Sequence, residues 1–157
     1  MKGFKAQSAM EYLMTYGWAI LIIAVVLGAL FSLGVFSGSS LIGTACIAQS
    51  GYYCQNLVYH DGVLSATVGQ STGTTFATAN VYFVPSGSVY SGSDAHTALP
   101  VNFASGATNT ISITIATSPL PAVGTPLTGY LYVNYTTPST PGTYLVAEIA
   151  TVSVKAS

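Results

Sequence analysis

Residues 18–36 read WAILIIAVVLGALFSLGVF, nineteen positions from Trp18 to Phe36 with no charge and a single hydroxyl, Ser32. As an α-helix this run is about 28 Å long, close to the hydrocarbon thickness of a bilayer. It is apolar on every side, so no face of it suits water. The helical pattern reaches back to Ser8, because SAMEYLMTYGW holds no breaker apart from Gly17. A helix from Ser8 to Phe36 spans about 43 Å, more than a bilayer requires. Upstream, Lys2 and Lys5 are the only cations, which places the N-terminus on the cytoplasmic side and the rest of the chain outside.

Beyond this run the chain changes character. GVFSGSSLIG, residues 34–43, is a Gly/Ser-rich hinge, and alternation with period two follows it. Ile111, Ile113 and Ile115 alternate with Thr110, Ser112 and Thr114 in the stretch Asn109–Thr117. Leu131, Val133 and Tyr135 alternate with Tyr130, Tyr132 and Asn134 in Gly129–Tyr135. Further strands are expected at Thr44–Ser50, Tyr52–Tyr59, Val63–Val68, Thr75–Val84 and Tyr144–Val154. Turn residues separate them at Asp61-Gly62, Pro85-Ser86-Gly87, Ser118–Pro121 and Pro138–Gly142. Seven or so short strands imply an antiparallel sandwich of immunoglobulin-like size. The expected fold is thus α+β, a long N-terminal hydrophobic helix followed by an all-β head. The expected division is residues 1–6, 7–36 (helix), 37–43 (hinge) and 44–157 (head).

Charge narrows the function classes. Only 4% of the 157 residues are charged, against about 25% in ordinary soluble domains. Eighteen Ser, nineteen Thr and sixteen Gly supply the polarity instead. Three Lys and no Arg cannot form the basic patch that nucleic acid requires. Four acids and two His leave little from which to build an active site. A base sits near an acid only at His60-Asp61 and Asp94-Ala95-His96, and both stretches read as loops in which Asp serves the turn. No catalytic, cofactor or metal site is expected.

Cys46 and Cys54 are the only cysteines, and both follow the apolar run. They flank Ser50-Gly51, a plausible hairpin turn, and a disulfide is expected, contributing about 2.5 kcal/mol by loop-closure entropy; two free buried thiols are the alternative. Asn134-Tyr135-Thr136 is the single glycosylation sequon. A glycan fits if that strand face is solvated and is excluded if it packs inside. Tyr12, Tyr16 and Trp18 gather at the helix start, as aromatics do at a membrane interface.

Lys5-Ala6-Gln7-Ser8-Ala9-Met10-Glu11-Tyr12-Leu13, running directly into the apolar stretch, resembles the class III signal peptide of archaeal type IV pilins. The resemblance covers residues 1 to about 36. It implies cleavage of a leader, residues 1–6, between Ala6 and Gln7 by a prepilin peptidase, with the apolar helix retained. An ordinary secretory signal is cut after its apolar core. It further implies subunits held in the cytoplasmic membrane and then polymerised by assembly machinery into an extracellular filament for adhesion or surface attachment, identical subunits being the partners. Glu11 would pair with the new α-amine of Gln7 on a neighbour. Ala24, Gly28 and Ser32, every fourth residue, form a small-residue stripe where another helix can approach. The alternative is a β-sandwich binding protein that does not polymerise, either secreted after a cut at Ser40 or permanently anchored.

Overall fold

The computed structural model describes residues 4–33, 43–116 and 121–157. The chain divides into two compact units, Met1–Leu41 and Ile42–Ser157.

The first unit contains one helix, α1, Phe4–Ser32, closed by a Leu33 N–H to Ala29 carbonyl bond of 2.9 Å. It begins four residues before the expected Ser8, because Lys5, Ala6 and Gln7 are good helix formers and nothing there stops propagation. Its described end is Ser32, and the expected end at Phe36 lies outside the described residues. Residues 34–36 and most of the hinge expected at 37–43 lie outside the described residues.

The second unit is a sandwich of eight strands: β1 Ala45–Ala48, β2 Tyr52–His60, β3 Val63–Gln70, β4 Thr78–Pro85, β5 His96–Ala98, β6 Thr108–Thr114, β7 Pro126–Thr137 and β8 Thr140–Lys155. A five-stranded sheet runs β1-β8-β7-β4-β5, and a three-stranded sheet runs β2-β3-β6. All the ladders are antiparallel. The chain crosses between sheets from β1 to β2, from β3 to β4, from β5 to β6 and from β6 to β7, the connectivity of an immunoglobulin-like sandwich. The alternating apolar residues do the work expected of them. Ile111 and Ile113 of β6, with Leu64, Ala66 and Val68 of β3, face Val81, Phe83, Leu131, Val133 and Val152 from the other sheet in one buried core.

Local chemistry explains the tight connections. Asp61 and Gly62 both have positive φ, 47° and 80°, and close the two-residue β2–β3 hairpin. Gly129 of β7 has no room for a side chain, since a Cβ there would lie 2.5 Å from the Val84 carbonyl oxygen and 2.6 Å from the Phe83 ring. Gln70, 3% exposed, has its whole side-chain amide satisfied. Its Nε2 donates to the Thr74 and Phe103 carbonyls at 2.7 and 3.2 Å, and its Oε1 accepts from the Thr72 N–H and hydroxyl at 2.9 and 2.7 Å. One buried amide therefore ties the β3–β4 crossover to the loop before β6.

Several expectations need correction. β5 was not foreseen, being only three residues long with no fully buried side chain. Pro138–Gly142 is not all turn: the reversal occupies Pro138-Ser139, and β8 resumes at Thr140. The two cysteine strands are not a hairpin. A turn does form, with the Tyr52 N–H donating to the Gln49 carbonyl at 3.0 Å and Gly51 at φ 84°. It delivers β1 to one sheet and β2 to the other, because β1 takes β8 as its partner. The turn expected at Ser118–Pro121 falls mostly outside the described residues.

Candidate functional site

Two surfaces carry the chemistry, one on each unit. On α1, large apolar side chains from Met10 to Leu33 are exposed around the whole helix: Leu21 is 63% exposed, Val25 63% and Phe31 66%. By length and composition the stretch Ala9–Ser32 suffices to cross a membrane; an anchor and a signal sequence both meet that requirement. Ala24, Gly28 and Ser32 share one exposed face, and a Cβ added at Gly28 would meet nothing within 4 Å. Tyr12 and Tyr16, one turn apart, hold their ring centroids 4.6 Å from each other. Glu11 is exposed, and the Thr15 hydroxyl donates to its backbone carbonyl at 2.8 Å. Because α1 starts at Phe4, no acid lies in its first turn. The helix runs through Ala6 and Gln7, where cleavage is expected.

On the head, Cys46 of β1 and Cys54 of β2 are disulfide-bonded with Cα atoms 5.7 Å apart. Because those strands belong to different sheets, the bond clips the sandwich at its edge.

The acid–base pairs do not converge. His60 and Asp61 lie at the β2–β3 turn of the three-stranded sheet, with Nε2 3.1 Å from the Asp61 carboxylate. His96 is on β5 of the other sheet, its Nδ1 donating to the Asp94 carbonyl at 3.0 Å. The Asp94 carboxylate accepts from the Ser91 N–H and hydroxyl at 2.9 and 3.1 Å, which is turn chemistry. Among the described residues no three His, Cys, Asp or Glu come together as a metal site would require.

The outer face of the five-stranded sheet holds a cluster that alternation alone does not reveal. Register sets Tyr82 of β4 beside Tyr132 of β7 and His96 of β5. Tyr90, from the β4–β5 loop, folds back over them. Its ring meets Tyr82 edge-on at 5.2 Å and Tyr132 at 5.5 Å, while His96 lies 4.7 Å from Tyr82. Asn134 is half-buried here. Its Nδ2 donates to the Tyr90 hydroxyl at 3.2 Å, and its Oδ1 is shielded without a partner. Burial, followed by the neighbouring Tyr90, raises the Tyr82 pKa above the ordinary tyrosine value. Burial, followed by the adjacent Glu148 carboxylate, raises that of Tyr132. Glu148 also accepts from the Gln49 amide at 3.1 Å and the Thr151 hydroxyl at 3.5 Å. The other sheet's outer face differs: Ser65 meets Ser112 and Thr67 meets Thr110, each hydroxyl pair at 3.3 Å.

No protein-family model matches this chain, and comparison with curated proteins finds no similar sequence.

Proposed function

We propose that this protein is the structural subunit of an archaeal type IV-like surface filament, polymerising through α1 and serving adhesion or surface attachment without catalysis. The observation that carries the reading is α1 itself. Every turn of it from Met10 to Leu33 exposes large apolar side chains, while the head buries a complete core of its own. Such a helix requires lipid or other helices around it. The KAQSAMEYL stretch before the apolar run supports the second, since a leader cut ahead of the helix retains it in the mature subunit.

In this reading the chain enters the membrane with Lys2 and Lys5 inside and loses residues 1–6. It then leaves lipid as neighbouring helices replace it. The Ala24, Gly28 and Ser32 face permits close approach. Burying Glu11 alone is costly, and the α-amine of a neighbour's Gln7 offsets that cost. Contacts of this head-to-tail kind do not close into a ring and so build an open helix. A head surface of neutral hydroxyls can pack against copies of itself without charge repulsion or the cost of desolvating ions.

Mass spectrometry of the N-terminal peptide of the native surface protein tests the reading. A chain beginning at Gln7 supports pilin-type processing. A start at Ser40 makes the head a secreted domain, and an intact Met1 favours a membrane anchor or an unprocessed filament; either removes the role given to Glu11.

A further inference from the structure

We infer that the outer face of the five-stranded sheet is a binding platform for a neutral polysaccharide chain, with Tyr90 and Tyr132 stacking against sugar rings and Glu148 accepting from their hydroxyls. The inference rests on the surface-attachment reading and names the ligand class that such attachment would use.

The aromatic rings here are not needed by the core, which the inward residues of the same strands already fill. Four of the eleven tyrosines, Tyr82, Tyr90, Tyr130 and Tyr132, nevertheless gather around this face, three of them half-exposed. The three-stranded sheet, of similar Ser/Thr-rich composition, presents mutually paired hydroxyls instead. A pyranose ring has an apolar C–H face and a rim of hydroxyls, and tyrosine offers the matching combination of flat apolar body and polar tip.

The side chains are also held before any ligand arrives. Tyr90 is braced by the Tyr82 ring and by the Asn134 amide; Tyr132 lies opposite Glu148 in the β7–β8 register, and Gln49 and Thr151 position that carboxylate. Rings already fixed in place lose little conformational entropy on binding.

Charge selects the ligand class. The only cation in the head is Lys155, at the end of β8 where it pairs with Pro126, away from Tyr132 and Glu148. Glu148 and Asp94 flank the rings, so sulfated, phosphorylated or uronate-rich chains would meet like charge and no counter-charge.

The test uses the full chain in dodecylphosphocholine micelles, a detergent without a sugar headgroup, on immobilised mannan, amylose and xylan, with heparin as the acidic comparison. Retention on at least one neutral polymer, competed by the same polymer in solution and absent on heparin, is expected. Tyr132→Ala and Tyr90→Ala should each weaken retention by about tenfold or more, and Thr67→Ala on the opposite sheet should leave it unchanged. Glu148→Gln, which keeps the side chain's shape, should weaken it less. Melting temperatures separate lost contacts from lost folding, and Tyr90→Ala, in a loop, covers the case in which Tyr132→Ala unfolds. Retention on none of the neutral polymers, equal retention by folded Tyr90→Ala, or preference for heparin would overturn the inference. Those outcomes leave filament assembly standing, whereas a native chain starting at Ser40 would overturn assembly and leave the platform standing.

Discussion

Gly28 and Gly129 make the contrast between the two units concrete. A methyl group added to Gly28 on α1 meets nothing within 4 Å, while one added to Gly129 on β7 collides with a backbone oxygen and a phenylalanine ring. The head is finished by its own chain: its apolar residues face one another and its edge is clipped by a disulfide. The helix is unfinished by its own chain, with apolar residues exposed on all sides. In the head, then, a substitution is judged by the residues of the same molecule. On the helix it is judged by whatever surrounds the molecule.

The sharpest way to break this contrast is to put valine at both glycines. Gly129→Val should cost the head at least about 3 kcal/mol, since neither the Val84 carbonyl nor the Phe83 ring can retreat from a packed core. Gly28→Val should leave the melting of the head unchanged and reduce only helix association. Near-UV circular dichroism of the tyrosines follows the head, and fluorescence of Trp18, the single tryptophan, follows the helix. Equal effects on the head from both substitutions would refute the division.

A smaller effect is expected from the disulfide. Cys46→Ser should lower head stability by about 2.5 kcal/mol in denaturant melts, and a reductant should add nothing further to that variant. Gln70→Ala should cost about 2 kcal/mol, because it strips partners from the backbone groups of Thr72, Thr74 and Phe103. If solvent simply enters at Thr74, the loss will be well below that.

The smallest effect is on pH dependence. Tyr52, Tyr82 and Tyr132 all have pKa values raised above the ordinary tyrosine value near 10, first by burial. Their neutral forms are thus favoured in the fold. The stability they contribute is fully present below the unfolded value and declines as pH rises through the raised folded values. Thermal melts of the head at pH 8, 10 and 11 should show the loss only at the alkaline end, and Tyr132→Phe should diminish it. A decline already complete by pH 9 would contradict this account.

Much of the head was legible because alternation and turns are local signals. Ile111, Ile113, Leu131 and Val133 face the core as their spacing indicates, and Asp61-Gly62 closes a hairpin as its chemistry indicates. The surface cluster was not legible. Tyr132 faces Glu148 only because the β7–β8 register shifts after Leu131, leaving Ile149 as the extra residue of a bulge. Without that shift Tyr132 would oppose Ile149. Nor does any local signal tell that Tyr90, in a Gly/Ser-rich loop, returns to cover Tyr82.

The sequence by itself determined that this chain has an apolar helix and a nearly uncharged β head, because burial and hydrogen-bonding patterns are written at short range, every 3.6 or every two residues. It also determined that Cys46 and Cys54 are close enough along the chain to bond. Only the tertiary structure decided that this bond joins two sheets rather than two arms of a hairpin, since β1 finds its partner in β8, about a hundred residues away. The same holds for the aromatic face. Which side chains meet across a sheet depends on register, and register is set by the packing of the whole core, to which every strand contributes at once.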